Sequence, residues 1–182
     1  MSFGTHPFGT VPFGASGTEF EISFELDSPS VGHSILEVVS LFDRELIRQL
    51  SKDPDQLRTI GRRDFERLVG ELFSGFGYEV ELTQRTRDGG KDIIAIKRRE
   101  VEVKFLIECK RPDPGNPVAV STVRELLGVK VDDGASKAIL ATTTHLSPDA
   151  KQFVDKHRWE LEAREFGAIK EWITDYLSNR SR

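Results

Sequence analysis

The sequence predicts an α/β fold in which a central mixed β-sheet is flanked by helices. Residues 92–97 form a short apolar run that opens on Asp92, and residues 103–110 alternate as half-buried strands do. Residues 64–76 instead carry apolar side chains at helical spacing. A second helical pattern, 122–131, lies between strand 103–110 and a further strand pattern at 137–142. Because a crossover helix joins parallel strands, whereas a hairpin joins antiparallel ones, the predicted sheet is mixed.

The composition is that of a soluble globular protein. The 182 residues have room for one domain and a tail, with 37% hydrophobic and 31% charged residues. No apolar run approaches the roughly 20 residues that span a bilayer, and the first residues lack the pattern of a signal peptide. We therefore expect a cytoplasmic protein with no membrane partner. The single cysteine, Cys109, excludes an internal disulfide and a cysteine-based zinc site.

The N-terminal part of the chain is predicted to be a flexible tail, 1–18, followed by elements that pack on the core, 19–60. The tail repeats Phe-Gly units among Gly, Pro, Ser and Thr, a composition that cannot form a core. Its phenylalanines are either anchors for a partner or part of a disordered tail, and the composition favours the tail. They are Phe3, Phe8 and Phe13. Within the second segment, a strand over 19–26 and a helix over 34–50 precede a helical turn at 55–60.

The helix 64–76 presents a buried apolar stripe with one carboxylate on its flank. The stripe consists of Phe65, Leu68, Val69, Leu72, Phe73 and Phe76. Glu66 is one residue, or about 100°, from Phe65 and therefore lies at the edge of the stripe. There it either reaches a site as a carboxylate or pairs with a neighbouring arginine as a surface residue. Gly77 suits the left-handed conformation that ends a helix.

Three polar residues converge if the two strands after this helix form a hairpin. Asp92 follows a glycine-rich turn, to which we assign Asp88. Glu108 and Lys110 are two residues apart on a strand and therefore share a face. Two carboxylates offer hard oxygen ligands to a divalent cation, and the lysine adds a positive charge, an arrangement typical of phosphodiester cleavage. The alternative is an ordinary surface pair on an edge strand.

The number of residues in the hairpin loop tests this geometry. Residues opposite each other in an antiparallel pair of strands point to the same face of the sheet. Asp92 and Glu108 therefore share a face only if the residue numbers of each opposed pair add up to an even number. The loop must then hold an odd number of residues. We predict a loop of three or five residues around 99–101 in place of a two-residue turn. A bulge near Asp92 is the alternative.

Helix and strand signals continue to the C-terminus. Thr122 and Glu125 have the spacing of a capping box. Ser147 and Pro148 are typical of the start of a further helix, and residues 159–163 suit a fifth strand. The last helix has an apolar stripe made of Ile169, Trp172, Ile173, Tyr176 and Leu177.

Positive charge is concentrated near the candidate site although the net charge of the chain is −4. Residues 58–111 carry thirteen basic and ten acidic groups, whereas residues 1–57 carry three and nine. Salt screens exposed charges beyond about 8 Å, so a local basic surface can bind phosphate on an acidic protein. The alternative is a solvated face. The candidate DNA-binding residues are Arg87, Lys91, Arg111 and Arg124.

Five sequence motifs follow one another between about residues 60 and 178. They are RDFERLVGELFSGFGY with Glu66, DGGKDI with Asp92, IECK with Glu108 and Lys110, VRELLG, and AILATTTHLSPDA. This ordered series resembles the Mrr-like restriction endonuclease catalytic domain of the PD-(D/E)xK nuclease superfamily, and it assigns residues 61–182 to that domain. The resemblance implies a restriction-endonuclease-like core, a magnesium requirement and a DNA substrate. It also implies that Glu66 is an acid on the metal side of the site.

The expected function is metal-dependent cleavage of double-stranded DNA by a restriction-type endonuclease, whether or not it depends on DNA modification. Asp92 and Glu108 would hold one or two Mg²⁺ ions, with Mn²⁺ as a substitute, and Glu66 would complete the ligand set. Lys110 would orient the attacking water and stabilise the charge that develops on the phosphate.

The chain departs from the Mrr pattern, in which the nuclease is usually joined to a separate DNA-recognition domain. Only about 60 residues precede the catalytic helix. Specificity would come from a separate recognition subunit, from dimerisation, or be absent, and the cutting of two strands favours a homodimer. Two other functions stay open. One is a non-catalytic DNA- or protein-binding module with the nuclease fold, and the other is a junction-resolving nuclease with a structure-specific substrate.

Overall fold

Five strands form one sheet with helices on both faces in the computed structural model, which describes residues 44–83, 91–113 and 115–179. The elements are α1 (Arg44–Lys52), a short 3-10 helix (Pro54–Arg58), α2 (Arg62–Gly75), β1 (Glu79–Leu82), β2 (Ile93–Arg98), β3 (Glu102–Lys110), α3 (Val120–Asp133), β4 (Lys137–Thr142), α4 (Pro148–Lys156), β5 (Leu161–Arg164) and α5 (Phe166–Asn179). The predicted tail, the strand 19–26, the start of the first helix and the turn with Asp88 lie outside the described residues. Among the described helices, none combines the length and apolarity that a membrane crossing needs.

The sheet is mixed, as predicted, and its strands are arranged in chain order from β1 to β5. Strand β2 pairs antiparallel with both β1 and β3. Strand β4 pairs parallel with β3 and with β5. Helices α3 and α4 make the two crossovers between parallel strands. The carboxyl ends of β3, β4 and β5 therefore lie at the same edge of the sheet.

Alternating side chains of the central strands build a core on each face of the sheet. Ile107 and Cys109 of β3 join Ile139 of β4 under α1, α2 and α5. Ala138 and Leu140 of β4 face the other way, under α3 and α4. Because Glu108 is the register partner of Leu140, it shares the α3 face, in agreement with the predicted alternation of β3.

The predicted helix signals are confirmed at two positions. Ser147 caps α4 through its Oγ, which accepts a hydrogen bond from the backbone N–H of Ala150 at 3.3 Å, and Pro148 is the first helical residue. Gly77 has a φ of 82°, and the next backbone N–H, that of Tyr78, donates to the carbonyl of Phe73. This left-handed residue ends α2 as expected.

One local prediction is wrong, and another is confirmed with shifted bounds. Helix α3 begins at Val120 with Ala119 as its N-cap and no side-chain capping bond, so Thr122 lies inside the first turn and forms no capping box. The predicted fifth strand is present, but it begins at Leu161 because the chain first turns back on itself, with the N–H of Leu161 donating to the carbonyl of His157 at 2.8 Å.

Candidate active site

The hairpin of β2 and β3 has the loop that the sequence predicts. Arg98 pairs with Glu102, so the loop holds three residues, 99–101. Ile93 pairs with Ile107, and the sum of each pair of positions is even. This register, continued by one position, brings Asp92 to the same face as Glu108.

Asp92 lies immediately before β2 and is tied to β3 through both its backbone and its side chain. Its backbone N–H donates to the carbonyl of Ile107 at 3.0 Å. Its Oδ2 atom accepts a hydrogen bond from the backbone N–H of Cys109 at 2.8 Å. The carboxylate is therefore held beside the strand that carries Glu108 and Lys110.

Glu108 is buried, with 4% of its surface exposed, and it pairs with the lysine two residues further on. The Nζ atom of Lys110 lies 2.5 Å from the Oε1 atom of Glu108. Burial raises the pKa of Glu108 above its ordinary value, and the negative charges of Asp92 and Glu125 raise it further, whereas Lys110 lowers it. The negative charges that act on Glu108 show that Asp92 and Glu125 lie within electrostatic range of it.

Cys109 lies between these residues on the opposite face of β3 and is fully buried. Burial raises the pKa of its thiol well above the ordinary value, and the charges of Asp92, Glu66 and Glu108 raise it further. The thiol is therefore neutral at physiological pH and contributes to packing.

Glu66 is buried on α2, with 1% of its surface exposed, and it is therefore not a surface residue. Its Oε2 atom lies 2.8 Å from a guanidinium nitrogen of Arg63, and its Oε1 atom lies 3.4 Å from Nε of Arg62. Arg63 also donates to the carbonyl of Thr83 at 3.3 Å, so it joins α2 to the end of β1. The pairing with neighbouring arginines is confirmed, and a role as metal ligand stays a prediction.

The donor chemistry of Asp92 and Glu108 fits a hard divalent cation. One oxygen of each carboxylate is engaged, Oδ2 with Cys109 and Oε1 with Lys110. Within the described residues, no group of three or more His, Cys, Asp or Glu side chains is arranged to hold a metal ion. The structure thus brings together two of the three predicted acids and does not bring Glu66 into a set with them.

The candidate DNA-binding residues have different surroundings. Lys91 is paired with Asp133 at 2.6 Å, at the far end of α3. Arg124 lies over the ring of Phe153, 5.5 Å from its centroid. Arg87 lies outside the described residues.

Arg111 is the candidate DNA-binding residue that directly follows the site. One guanidinium nitrogen donates to the carbonyl of Arg58 at 3.1 Å. Its Nε atom is buried and has no hydrogen-bond partner within the described part of the chain. The side chain also lines a cleft together with Lys110.

Two charged residues near the site were not predicted as part of it. Glu125, on α3, is close enough to raise the pKa of Glu108. Arg62 pairs with Glu66 and lines the same cleft as Lys110. The spacing of Arg62 and Glu66, four residues apart on a helix, could have indicated the ion pair. No sequence signal places Glu125 near Glu108, because that proximity depends on how α3 crosses the sheet.

Comparison with known proteins identifies the class of this domain. The family model of the Mrr catalytic domain, a restriction endonuclease family, matches residues 57–173. The match covers more than half of the chain, and the chain therefore belongs to this restriction endonuclease family. The predicted resemblance is confirmed.

Among individual proteins, the chain is similar to an uncharacterized protein, y4cE, of Sinorhizobium fredii. The two are 30% identical over 106 residues, which cover 58% of this chain and 27% of that protein. The chain thus spans about a quarter of the length of this curated relative.

Solved structures with a related fold include two restriction endonucleases. The DNA modification-dependent restriction endonuclease AspBHI is 22% identical with a TM-score of 0.49, covering 76% of this chain and 38% of its own. MspJI, solved in complex with a 27-mer oligonucleotide, is 17% identical with a TM-score of 0.49, covering 74% of this chain and 31% of its own. These likenesses are loose, and the family assignment depends on the family model.

Proposed function

We propose that this chain is a metal-dependent DNA endonuclease whose catalytic residues are Asp92, Glu108 and Lys110. The observation that carries the proposal is the buried Glu108 carboxylate, which pairs with Lys110 at 2.5 Å beside the backbone N–H of Cys109 that holds Asp92. Burial of a carboxylate beside a second one is costly unless cations compensate the two charges. One lysine supplies one positive charge, and a divalent cation supplies the remainder.

Each catalytic residue has a separate task in this mechanism. Asp92 and Glu108 would hold Mg²⁺, or Mn²⁺ in its place, through carboxylate oxygens. When bound there, such an ion would supply polarisation of the scissile phosphate and a lowered pKa of a water molecule. Lys110 orients the attacking water and stabilises the charge that develops on the phosphate. Glu66 would add a further ligand, with its charge partly compensated by Arg62 and Arg63.

The substrate in this proposal is double-stranded DNA in the cytoplasm, cut in the manner of restriction enzymes. Two strands are cut most simply by two copies of one catalytic domain, so we infer a homodimer on DNA. Recognition of sequence or of base modification is assigned to a separate subunit or to the dimer. Sedimentation of the protein with and without DNA tests the oligomeric state.

Plasmid cleavage by the purified protein and by Asp92→Ala tests the proposed function. Each protein is incubated with Mg²⁺, Mn²⁺ or a chelator on methylated and unmethylated DNA. We expect cutting that requires a divalent cation and is lost in the variant. A difference between the two DNAs would establish dependence on modification.

Comparison of branched with linear DNA in the same assay distinguishes a restriction-type endonuclease from a junction-resolving nuclease. Preferential cutting of the branched substrate would replace the restriction-type proposal. If neither protein cuts any DNA although both fold and bind it, the proposed catalysis is wrong and a non-catalytic binding module is favoured.

A further inference from the structure

A cleft of about 300 Å³ opens beside Lys110, where the start of α2, the end of β3 and the start of α3 meet. Its lining includes three cationic side chains and, among the described residues, no acidic one. The three cations are Arg62, Lys110 and Arg111. Such a cleft concentrates positive potential next to the proposed catalytic residues.

The cationic groups of the cleft are only partly neutralised by the protein. Arg62 is 44% exposed on its side chain, and its Nε atom is 3.4 Å from Glu66, a distance too long for a strong hydrogen bond. Arg111 has no carboxylate partner in the described part of the chain, and its hydrogen bond goes to the neutral carbonyl of Arg58. Both guanidinium groups therefore retain donors for an anion.

The start of α3 adds to the positive character of the same cleft. Ala119 and Thr122 line it, and Ala119 is an N-cap without a side chain that could accept a hydrogen bond. The first turn of α3 contains no acidic residue. The backbone N–H groups of this turn and the positive end of the helix dipole favour an anion in addition to the arginines.

The chemistry of the remaining walls favours a phosphate group over a base. The other described residues of the lining are Pro112, Pro117 and Val118. None of the described lining residues is aromatic, so the cleft offers no ring on which a base could stack. An Arg pair with a lysine is instead suited to the oxygens of a phosphodiester.

We propose that the cleft binds a second DNA phosphate, the one adjacent to the scissile phosphate on the same strand. Lys110 belongs both to the catalytic group and to the wall of the cleft, so the two phosphates would lie on either side of its ammonium group. The inference rests on the proposed function for the identity of the scissile phosphate. It predicts that internal linkages, which have a neighbouring phosphate, are cleaved faster than a terminal linkage that lacks one on that side.

Arg62→Gln tests the cleft, and Arg63→Gln is its matched control. Both arginines pair with Glu66 and both changes remove one positive charge, but only Arg62 lines the cleft. DNA affinity is measured by fluorescence anisotropy at several salt concentrations, with no metal and in an Asp92→Asn background. We expect the slope of log affinity against log salt to fall by about one unit for Arg62→Gln, as for the loss of one phosphate contact, and to change less for Arg63→Gln. Equal slopes for the two variants would overturn the inference.

A second test uses DNA in which single phosphates around the cut site are replaced, one at a time, by neutral methylphosphonates. The cut site is first mapped with the wild-type protein. Neutralising the adjacent phosphate should slow wild-type cleavage by about tenfold, because one charge-assisted hydrogen bond is lost. Arg62→Gln should be slower on unmodified DNA and lose this sensitivity, whereas Arg63→Gln should keep it. If the Arg62 variant stays as sensitive as wild type, the cleft does not bind that phosphate.

The two measurements separate this inference from the proposed function. If the protein cuts DNA but Arg62→Gln changes neither the salt slope nor the sensitivity to methylphosphonate, the cleft does not bind the adjacent phosphate. The proposed nuclease function would then still hold. A reduced slope specific to Arg62→Gln, in a protein that cuts no DNA, would support the phosphate contact and refute catalysis. Thermal unfolding of each variant shows whether it retains the fold, and Arg111→Gln provides a second variant of the cleft for the same assays.

Discussion

The Oδ2 atom of Asp92 accepts a hydrogen bond from the backbone N–H of Cys109 at 2.8 Å. This bond joins the residue before β2 to the residue between Glu108 and Lys110. The carboxylate is thereby fixed beside the other two groups by the protein itself, before any ligand arrives. Positioning of this kind reduces the entropy lost when a cation and a phosphate bind.

Asp92→Asn is expected to abolish cleavage while keeping the fold. The amide oxygen of asparagine can still accept the hydrogen bond from Cys109, but the negative charge for the cation is gone. Because a bound metal ion contributes several kcal/mol, we expect at least about a 100-fold loss of cleavage rate. The rate is measured on plasmid DNA with saturating Mg²⁺.

Asp175→Asn is the control for this change, since Asp175 is an exposed aspartate on α5. It should leave both the rate and the thermal stability near those of wild type. Mg²⁺ should raise the melting temperature of wild type and of this control, but not of Asp92→Asn. A variant at Asp92 that cuts at the wild-type rate would remove it from the site.

Glu108→Gln should change how stability depends on pH in the absence of metal. The folded protein raises the pKa of Glu108 above its ordinary value of 4.5, chiefly through burial. The contribution of this carboxyl to stability is therefore fully present below the unfolded pKa and is lost as pH rises through the folded pKa. Glutamine cannot ionise, so the free energy of unfolding of the variant should increase relative to that of wild type as pH rises through this interval.

Urea denaturation in a chelator, at a series of pH values between about 4 and 8, measures this difference. Addition of Mg²⁺ at the upper end should stabilise wild type and not the variant, because only the carboxylate binds the ion. Parallel pH curves for the two proteins would show that Glu108 titrates normally and that burial does not perturb it.

The alternation of β3 and the odd hairpin loop could be predicted from sequence because they depend on local periodicity and parity. The partners of the basic residues could not. Lys91 meets Asp133 and Arg111 meets Arg58, partners that are 42 and 53 residues apart in the chain. Such contacts depend on where α3 and the 3-10 helix pack against the sheet, and the composition of either segment does not specify that.

At the start of α3, a local sequence signal made a wrong prediction because tertiary contacts override it. Thr122 and Glu125 have the spacing of a capping box, yet the helix starts at Val120. Val118 forms an isolated bridge with Leu146, and its N–H donates to the carbonyl of His145 at 2.9 Å. This pairing fixes the extended chain up to Ala119 and lets the helix begin earlier than its side chains predict.

Lys110→Met is expected to slow cleavage without removing the cation. The carboxylates remain, so the rise in melting temperature with Mg²⁺ should persist, whereas the positive charge at the phosphate is lost. Removal of one such group typically costs about 100- to 1,000-fold in rate. Lys104→Met is the matched control. Lys104 lies on the same strand and face as Lys110, but it is near the start of β3 and pairs with Asp133 of α3. Equal rates for the two variants would exclude a catalytic role for Lys110.

Gly75→Ala should destabilise the fold without affecting the chemistry of the site. A Cβ atom at this position would overlap the ring of Tyr176, which is 1% exposed and whose hydroxyl donates to Glu71 at 2.5 Å. Because the ring is fixed by packing and by this hydrogen bond, it cannot simply rotate away, and we expect a loss of about 1–3 kcal/mol. Gly128→Ala, on α3, meets no atom within 4 Å and should instead gain about 0.5–1 kcal/mol from helix propensity. Chemical denaturation compares the two, and a neutral Gly75→Ala would mean that α2 and α5 are packed more loosely than this contact requires.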